Sequence, residues 1–139
     1  MRNHHCSRIS ILYLVFGLFL ASCGGGLGGE SQEILITDED NDGQVELKQG
    51  ETIILSLVSN PTTGYSWQLM GGDETLLPQE GEPVYEQDPE AQGLVGGGGT
   101  ETFRFTAIAE GEVTLQLGYA RPWESVPPIE TFSIEVVIK

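Results

Sequence analysis

Histidine and cysteine are nearly missing from this 139-residue chain, and the positions of the few present decide what it cannot do. His4, His5 and Cys6 lie at the start, and the other cysteine is Cys23. Beyond Cys23 there is neither residue. That excludes a Ser-His-Asp or Cys-His catalytic site and any His/Cys zinc site there. It also removes the disulfide as a staple, so packing alone must hold the fold. Bases are scarce too: after Cys23, 21 acids face 4 bases (Lys48, Arg104, Arg121 and Lys139), a formal balance of −17. Such a surface repels phosphate backbones, which argues against nucleic acid as a partner. It favours partners with positive patches, or simply keeps an exported domain soluble. No stretch carries an apolar repeat of helical period. The longest apolar run, Ile9 to Leu20, is 12 residues, short of the roughly 20 that span a bilayer.

That run, with Arg2 and Arg8 before it, has the form of a signal-peptide core. Leu20-Ala21-Ser22-Cys23 resembles the bacterial lipobox. The resemblance implies a lipoprotein signal peptide over residues 1–22, cleavage before Cys23 and lipidation of Cys23. The alternative is an ordinary signal peptide with a chance cysteine. Gly24, not Asp, follows the cysteine, so no inner-membrane retention signal is visible. The expected address is the cell envelope, lipid-anchored, at the outer membrane and either periplasmic or surface-exposed. Residues 23–32 (CGGGLGGESQ) form a Gly-rich tether that reaches roughly 17 Å on average.

One domain of about 107 residues is left, Glu33 to Lys139, enough for a single core. Its pattern is β throughout. Ile34-Leu35-Ile36 opens it, and Asp38 to Gly43 reads as an acidic hairpin turn. Val45 and Leu47 alternate with polar neighbours, as do Ile53, Leu55 and Leu57. Phe103 and Phe105 share one face, as do Val113, Leu115, Leu117 and Tyr119, and then Phe132, Ile134, Val136 and Ile138. Period-two alternation means one buried and one solvated face. Short strands punctuated by turns give an all-β, immunoglobulin-like β-sandwich. Trp67 belongs in its core. Gly71 to Val95, rich in Gly, Pro and acid, reads as a long mobile connection with one strand-like piece at Val84-Tyr85.

Three islands of turn chemistry adjoin these strands. In Asn60-Pro61-Thr62-Thr63-Gly64, Pro61 fixes φ and Gly64 permits positive φ. Asn60 can bond its own downstream backbone, and two uncharged threonines remain at the tip. Alone this is a generic turn. Gly96 to Gly99, followed by Thr100, lacks the strand and helix that a phosphate loop requires, so alone it reads as a flexible link. Arg121-Pro122-Trp123 offers a binding anchor, since Trp and Arg are enriched at interface hot spots; a cap on the core is the equal alternative.

Together and in this order, the islands resemble the motifs of the chagasin family of cysteine peptidase inhibitors. The first is NPTTG with Tyr65 and Trp67 behind it, the second is Gly96, Gly98, Gly99 and Thr100, and the third is Arg121 to Trp123. The resemblance covers essentially the whole domain. It implies a reversible, non-covalent inhibitor of papain-like cysteine peptidases, not an enzyme, acting as a monomer without cofactor or metal. Three loops at one end of the sandwich would enter the active-site cleft. Thr62, with Thr63, would face the nucleophile, Gly98 to Thr100 would run along the substrate side, and Trp123 would pack on an aromatic surface of the enzyme. Two departures stand out. Gly97 makes the second motif all glycine, which should loosen it. Val126-Pro127-Pro128 should alter how the segment beyond Trp123 meets a partner.

Rival readings are a lipid-anchored adhesion or envelope-scaffold module of the same fold, and calcium binding at Asp38 to Gly43. The latter copies the start of an EF-hand loop but has Gln49 where a bidentate Glu is needed. An enzyme is the weakest alternative, because no two acids are marked as facing each other across a cleft.

Overall fold

The computed structural model describes residues 31–139; the signal-peptide and lipidation assignments, Cys23 included, lie outside the described residues. Eight strands make two four-stranded sheets. They are β1 (Glu33–Thr37), β2 (Gly43–Leu47), β3 (Thr52–Ser59), β4 (Ser66–Gly71), β5 (Val84–Gln87), β6 (Gly99–Thr106), β7 (Gly111–Ala120) and β8 (Glu130–Ile138). One sheet runs β1-β3-β6-β5 and the other β2-β8-β7-β4. Among the described residues there is no α-helix, only three single-turn 3-10 segments.

The alternation in the sequence becomes the core. Ile53, Leu55 and Leu57 of β3 lie beside Phe103 and Phe105 of β6, with Ile53 paired to Phe105 and Leu55 to Phe103. The facing sheet contributes Val113, Leu115 and Leu117 of β7, paired with Val136, Ile134 and Phe132 of β8. All of these side chains are buried. Each fully buried aliphatic or aromatic side chain contributes about 1.5–3 kcal/mol relative to exposure. Trp67 of β4 is 5% exposed, and its indole Nε1 donates to the Val58 carbonyl at 2.9 Å. The bond runs from one sheet to the other, as the aromatic pin of a disulfide-free sandwich must.

Two expectations change. The acidic segment after β1 is not a hairpin turn, because β1 and β2 belong to different sheets. β1 pairs parallel with β3 and β2 parallel with β8, so residues 38–42 cross from one sheet to the other. Parallel neighbours need a crossover and cannot be joined by a tight turn. The crossing is tied to both sheets. The Val58 N–H donates to Asp38 Oδ2 at 3.3 Å, the Ser133 N–H to Asn41 Oδ1 at 2.8 Å, and the Thr37 N–H to Asp40 Oδ2 at 2.8 Å. These acidic and amide side chains satisfy backbone donors of the strands they pass, and no group of three metal-ligating side chains occurs among the described residues.

The second change concerns Gly71 to Val95. The strand at Val84–Gln87 forms as expected and pairs with β6. The rest is not a bare connection. Leu77 is buried in the core, Gln79 bridges to Phe105, and the Ile108 N–H donates to the Leu76 carbonyl at 2.9 Å. Leu76-Leu77 has no alternating neighbours, so nothing in the sequence separates it from a surface loop.

Trp67→Ala removes both the buried indole and its bond to Val58. It is expected to cost about 3–5 kcal/mol, in the range of core aromatic deletions, read from denaturant titration. Reducing agent and chelator should leave the wild-type melting temperature unchanged.

Candidate functional site

Strand register brings the three islands to one end. Ser59, the last residue of β3, pairs with Gly99, the first of β6; Ser66, the first of β4, pairs with Ala120, the last of β7; Tyr119 pairs with Glu130, the first of β8. The segments 60–65, 88–98 and 121–129 therefore leave the sandwich together. The first joins the two sheets and is central. The second belongs to the β6 sheet and the third to the β7 sheet, so they flank it.

The first loop is a 3-10 turn over Pro61–Thr63, closed by the Gly64 N–H donating to the Pro61 carbonyl at 2.9 Å. Gly64 has φ +82°, a left-handed conformation that glycine adopts without strain. Pro61, Thr62 and Thr63 are exposed. Asn60 does more than the sequence suggested, and its side chain does not bond the backbone of its own turn. Its Nδ2 donates to the Gly96 carbonyl at 3.0 Å, which ties the first loop to the second. Its Oδ1 accepts the Thr62 hydroxyl, and its backbone carbonyl accepts the Thr63 hydroxyl, both at 2.6 Å. The two threonines thus turn their hydroxyls inward and present methyl groups and backbone.

The third loop grips the first from the other side. Arg121 Nε donates to the Thr63 carbonyl at 3.2 Å, and its guanidinium carbon lies 4.5 Å from the centre of the Tyr65 ring. Its Nη1 meets Glu124 Oε1 at 3.0 Å, a hydrogen bond that raises the arginine's pKa above its ordinary value. Arg121 is therefore engaged within the molecule rather than held out as a free charge. Trp123 is 70% exposed. A methyl group built on Gly64 would lie 2.7 Å from its ring, so the indole edge rests over the glycine. Pro128 folds back on Gly118 of β7, where an added Cβ would lie 2.6 Å from the proline Cγ. The Ile129 N–H then donates to the Tyr119 carbonyl at 2.9 Å. Pro128 thus meets the sheet, while Val126 and Pro127 stay exposed.

The second loop runs close to its neighbours. A Cβ on Gly97 would lie 2.6 Å from the Ala91 Cβ, so the loop passes against the 3-10 turn Pro89–Ala91 where only glycine fits. Gly99 is buried in β6, and a Cβ there would collide with the Glu86 carbonyl and lie 2.7 Å from the Tyr85 hydroxyl. Its glycine identity serves sheet pairing rather than an exposed surface. Gly98 and Thr100 stay partly exposed. Sequence reasoning passed over Leu94 and Val95, which precede Gly96 as an exposed apolar pair at this end; no alternation marks them.

Beneath the loops runs a stack of aromatic rings. Tyr119 lies 5.1 Å from Trp67 and 5.5 Å from Tyr65, and its hydroxyl accepts the Asn60 N–H at 2.8 Å. The three loops are thereby braced against one another and against the core.

The geometry is that of a disulfide-free immunoglobulin-like sandwich whose three loops leave one end together, the first of them without an ionisable side chain over residues 60–64. Residues 46–136 match the family model of chagasin family peptidase inhibitor I42. Chagasin of Trypanosoma cruzi is 37% identical over 90 residues, 63% of this chain and 81% of that protein. The crystal structure of the cysteine protease inhibitor EhICP2 from Entamoeba histolytica superposes with a TM-score of 0.71 at 24% identity, over 81% of this chain and 100% of that one. PbICP-C, solved in complex with falcipain-2, shares the fold at a TM-score of 0.52 and 19% identity, over 78% and 92% of the two chains. The chain belongs to the chagasin family, and it is a peptidase inhibitor rather than an enzyme.

Gly99→Ala is expected to destabilise the fold by about 1–3 kcal/mol, as overpacking does. Gly98→Ala, whose added Cβ meets only the Ser59 carbonyl at an ordinary 3.7 Å, should stay within about 0.5 kcal/mol of wild type. Thermal melts of the two variants separate the roles of neighbouring glycines.

Proposed function

We propose that the inhibitor acts reversibly by wedging its loop end into the peptidase cleft, with Asn60 to Gly64 at the centre and the other two loops on the flanks. The observation that carries this reading is the bracing of all three loops: Asn60 to Gly96 on one side, and Arg121 to Thr63 on the other. A surface ordered before binding loses little entropy in the complex. Thr62 and Thr63 face the catalytic Cys-His pair with methyl and backbone surface, offering no base or nucleophile of their own. Because the tip is a closed 3-10 turn, its peptide bonds are not extended as a substrate's are, so it blocks the cleft without being cut. Gly96, Gly98 and Thr100 line one wall by backbone, while Gly99 supports them from within the sheet. Trp123 is the aromatic anchor, aligned by Pro122 and steadied on Gly64. Arg121 serves mainly to couple the first and third loops.

One chain supplies the whole wedge, so a monomer suffices. The lipobox-like Leu20-Ala21-Ser22-Cys23 supports a lipid-anchored inhibitor in the cell envelope, held by Cys23 and the tether behind it.

Titration of papain with the purified protein tests this reading. Inhibition should be reversible, with a dissociation constant on the order of nanomolar for a standard-size interface, and serine peptidases should be unaffected. Trp123→Ala should leave the melting temperature nearly unchanged and weaken inhibition by about 2 kcal/mol or more, roughly 25-fold in affinity. No inhibition at micromolar protein would overturn the wedge and favour an adhesion or scaffold module.

A further inference from the structure

We propose that Glu101 is a positioning residue for inhibition: a buried carboxylate that sets how the first two loops leave the sandwich, without itself touching the peptidase. This rests on the three-loop reading above. Glu101 is the third residue of β6, on the same inward face as Phe103 and Phe105, and is only 9% exposed. An apolar residue is the default there, because a carboxylate withdrawn from water must be compensated. The compensation is not a cation. The ion pairs among the described residues are all exposed or half-exposed, and none includes Glu101.

Its partners are neutral donors, and their positions carry the argument. Glu101 Oε2 accepts the Ser59 hydroxyl at 3.0 Å and the Trp67 backbone N–H at 3.1 Å. Ser59 is the last residue before the first loop and lies in one sheet; Trp67 follows that loop and lies in the other. Glu101 itself stands two residues beyond Gly99, where the second loop enters β6. One oxygen therefore joins both legs of the first loop to the stem of the second, across the gap between sheets. β4 is an edge strand, so on its open side no further strand is there to receive the Trp67 N–H, and Glu101 does so instead. A charged acceptor holds neutral donors more tightly than a neutral one, which suits a point where small displacements reach the loop tip.

The test compares Glu101→Ala, Glu101→Gln and Ser59→Ala by melting temperature, inhibition constant against papain, and amide exchange of the loops. Glu101→Ala should weaken inhibition by about tenfold or more through lost pre-organisation, in protein still folded at the assay temperature. Glu101→Gln should recover most of this, because its carbonyl oxygen can take the place of Oε2 and accept both the Trp67 N–H and the Ser59 hydroxyl. Coupling tells positioning from general destabilisation. Combined with Thr62→Ala, Glu101→Ala should show a non-additive effect on the inhibition constant. Faster exchange at the Asn60 and Gly64 amides in Glu101→Ala should appear without any peptidase. That readout stands even if papain is the wrong target, so a failed wedge and a failed positioning role remain distinguishable. A folded Glu101→Ala with wild-type inhibition and wild-type loop exchange overturns the proposal. Should Glu101→Ala not fold, Ser59→Ala and Glu101→Gln decide it: faster loop exchange in Ser59→Ala with near-wild-type behaviour in Glu101→Gln supports the role, and unchanged exchange in both overturns it.

Discussion

Trp67 is the point at which the two sheets and the loop end are fastened together. It sits on an edge strand of one sheet, yet its indole nitrogen and its backbone nitrogen both donate into the other, to the Val58 carbonyl and the Glu101 carboxylate. Its ring leads through Tyr119 to Tyr65 and so to the guanidinium of Arg121. In a sandwich with no disulfide, cross-sheet polar bonds of this kind fix the relative position of the sheets, which area-proportional hydrophobic burial alone leaves loosely specified. The loops inherit their precision from this fastening, since the first loop is the short span between Ser59 and Trp67.

The two tryptophans show how differently one residue type can be placed, buried at Trp67 and exposed at Trp123. Trp67 has polar partners for both of its nitrogens inside the protein and is buried. Trp123 follows a proline in a loop and is left largely in water, with only its edge over Gly64. Leaving a large aromatic exposed has a solvation cost in the free protein, and that cost becomes binding free energy when a partner covers it. Gly64 links the roles. Its left-handed backbone closes the first loop, and its missing side chain makes room for the ring of the third.

Much of this was legible in the residues. Alternation at Ile53-Leu55-Leu57, at Phe103-Phe105 and along β7 and β8 marks the inward faces, because period two is a local property of a pleated strand. The three motifs mark the loop end for a like reason: Pro61 and Pro122 constrain their own backbone, and Gly64 permits the positive φ that the turn needs. What could not be read is non-local. Nothing in residues 33–47 says that β1 and β2 separate into different sheets as parallel partners of strands far along the chain. Leu77 is buried because Gln79 meets Phe105, a contact that no nearby residue announces. Asn60 looked like a self-bonding turn residue, yet its amide reaches Gly96, 36 positions away. Glu101 was detectable as an anomaly, an acid on the same face as Phe103, but its partners at 59 and 67 are set by register.

The distribution of charge completes the physical picture. Net charge after Cys23 is strongly negative, yet residues 60–64 and 92–100 carry no ionisable side chain, and the one cation of the third loop is held by Glu124. Burying a charge in an interface costs desolvation that its new partner must repay, whereas methyl groups, glycine backbone and an indole carry no such cost. Those two stretches are thus the part of the loop end that loses least on leaving water. The acids elsewhere act at longer range, keeping copies apart and steering toward positive partners within the screening length. On the proposed wedge, steering and docking fall on different surfaces, so changes in the acidic surroundings would tune encounter without disturbing the braced loops.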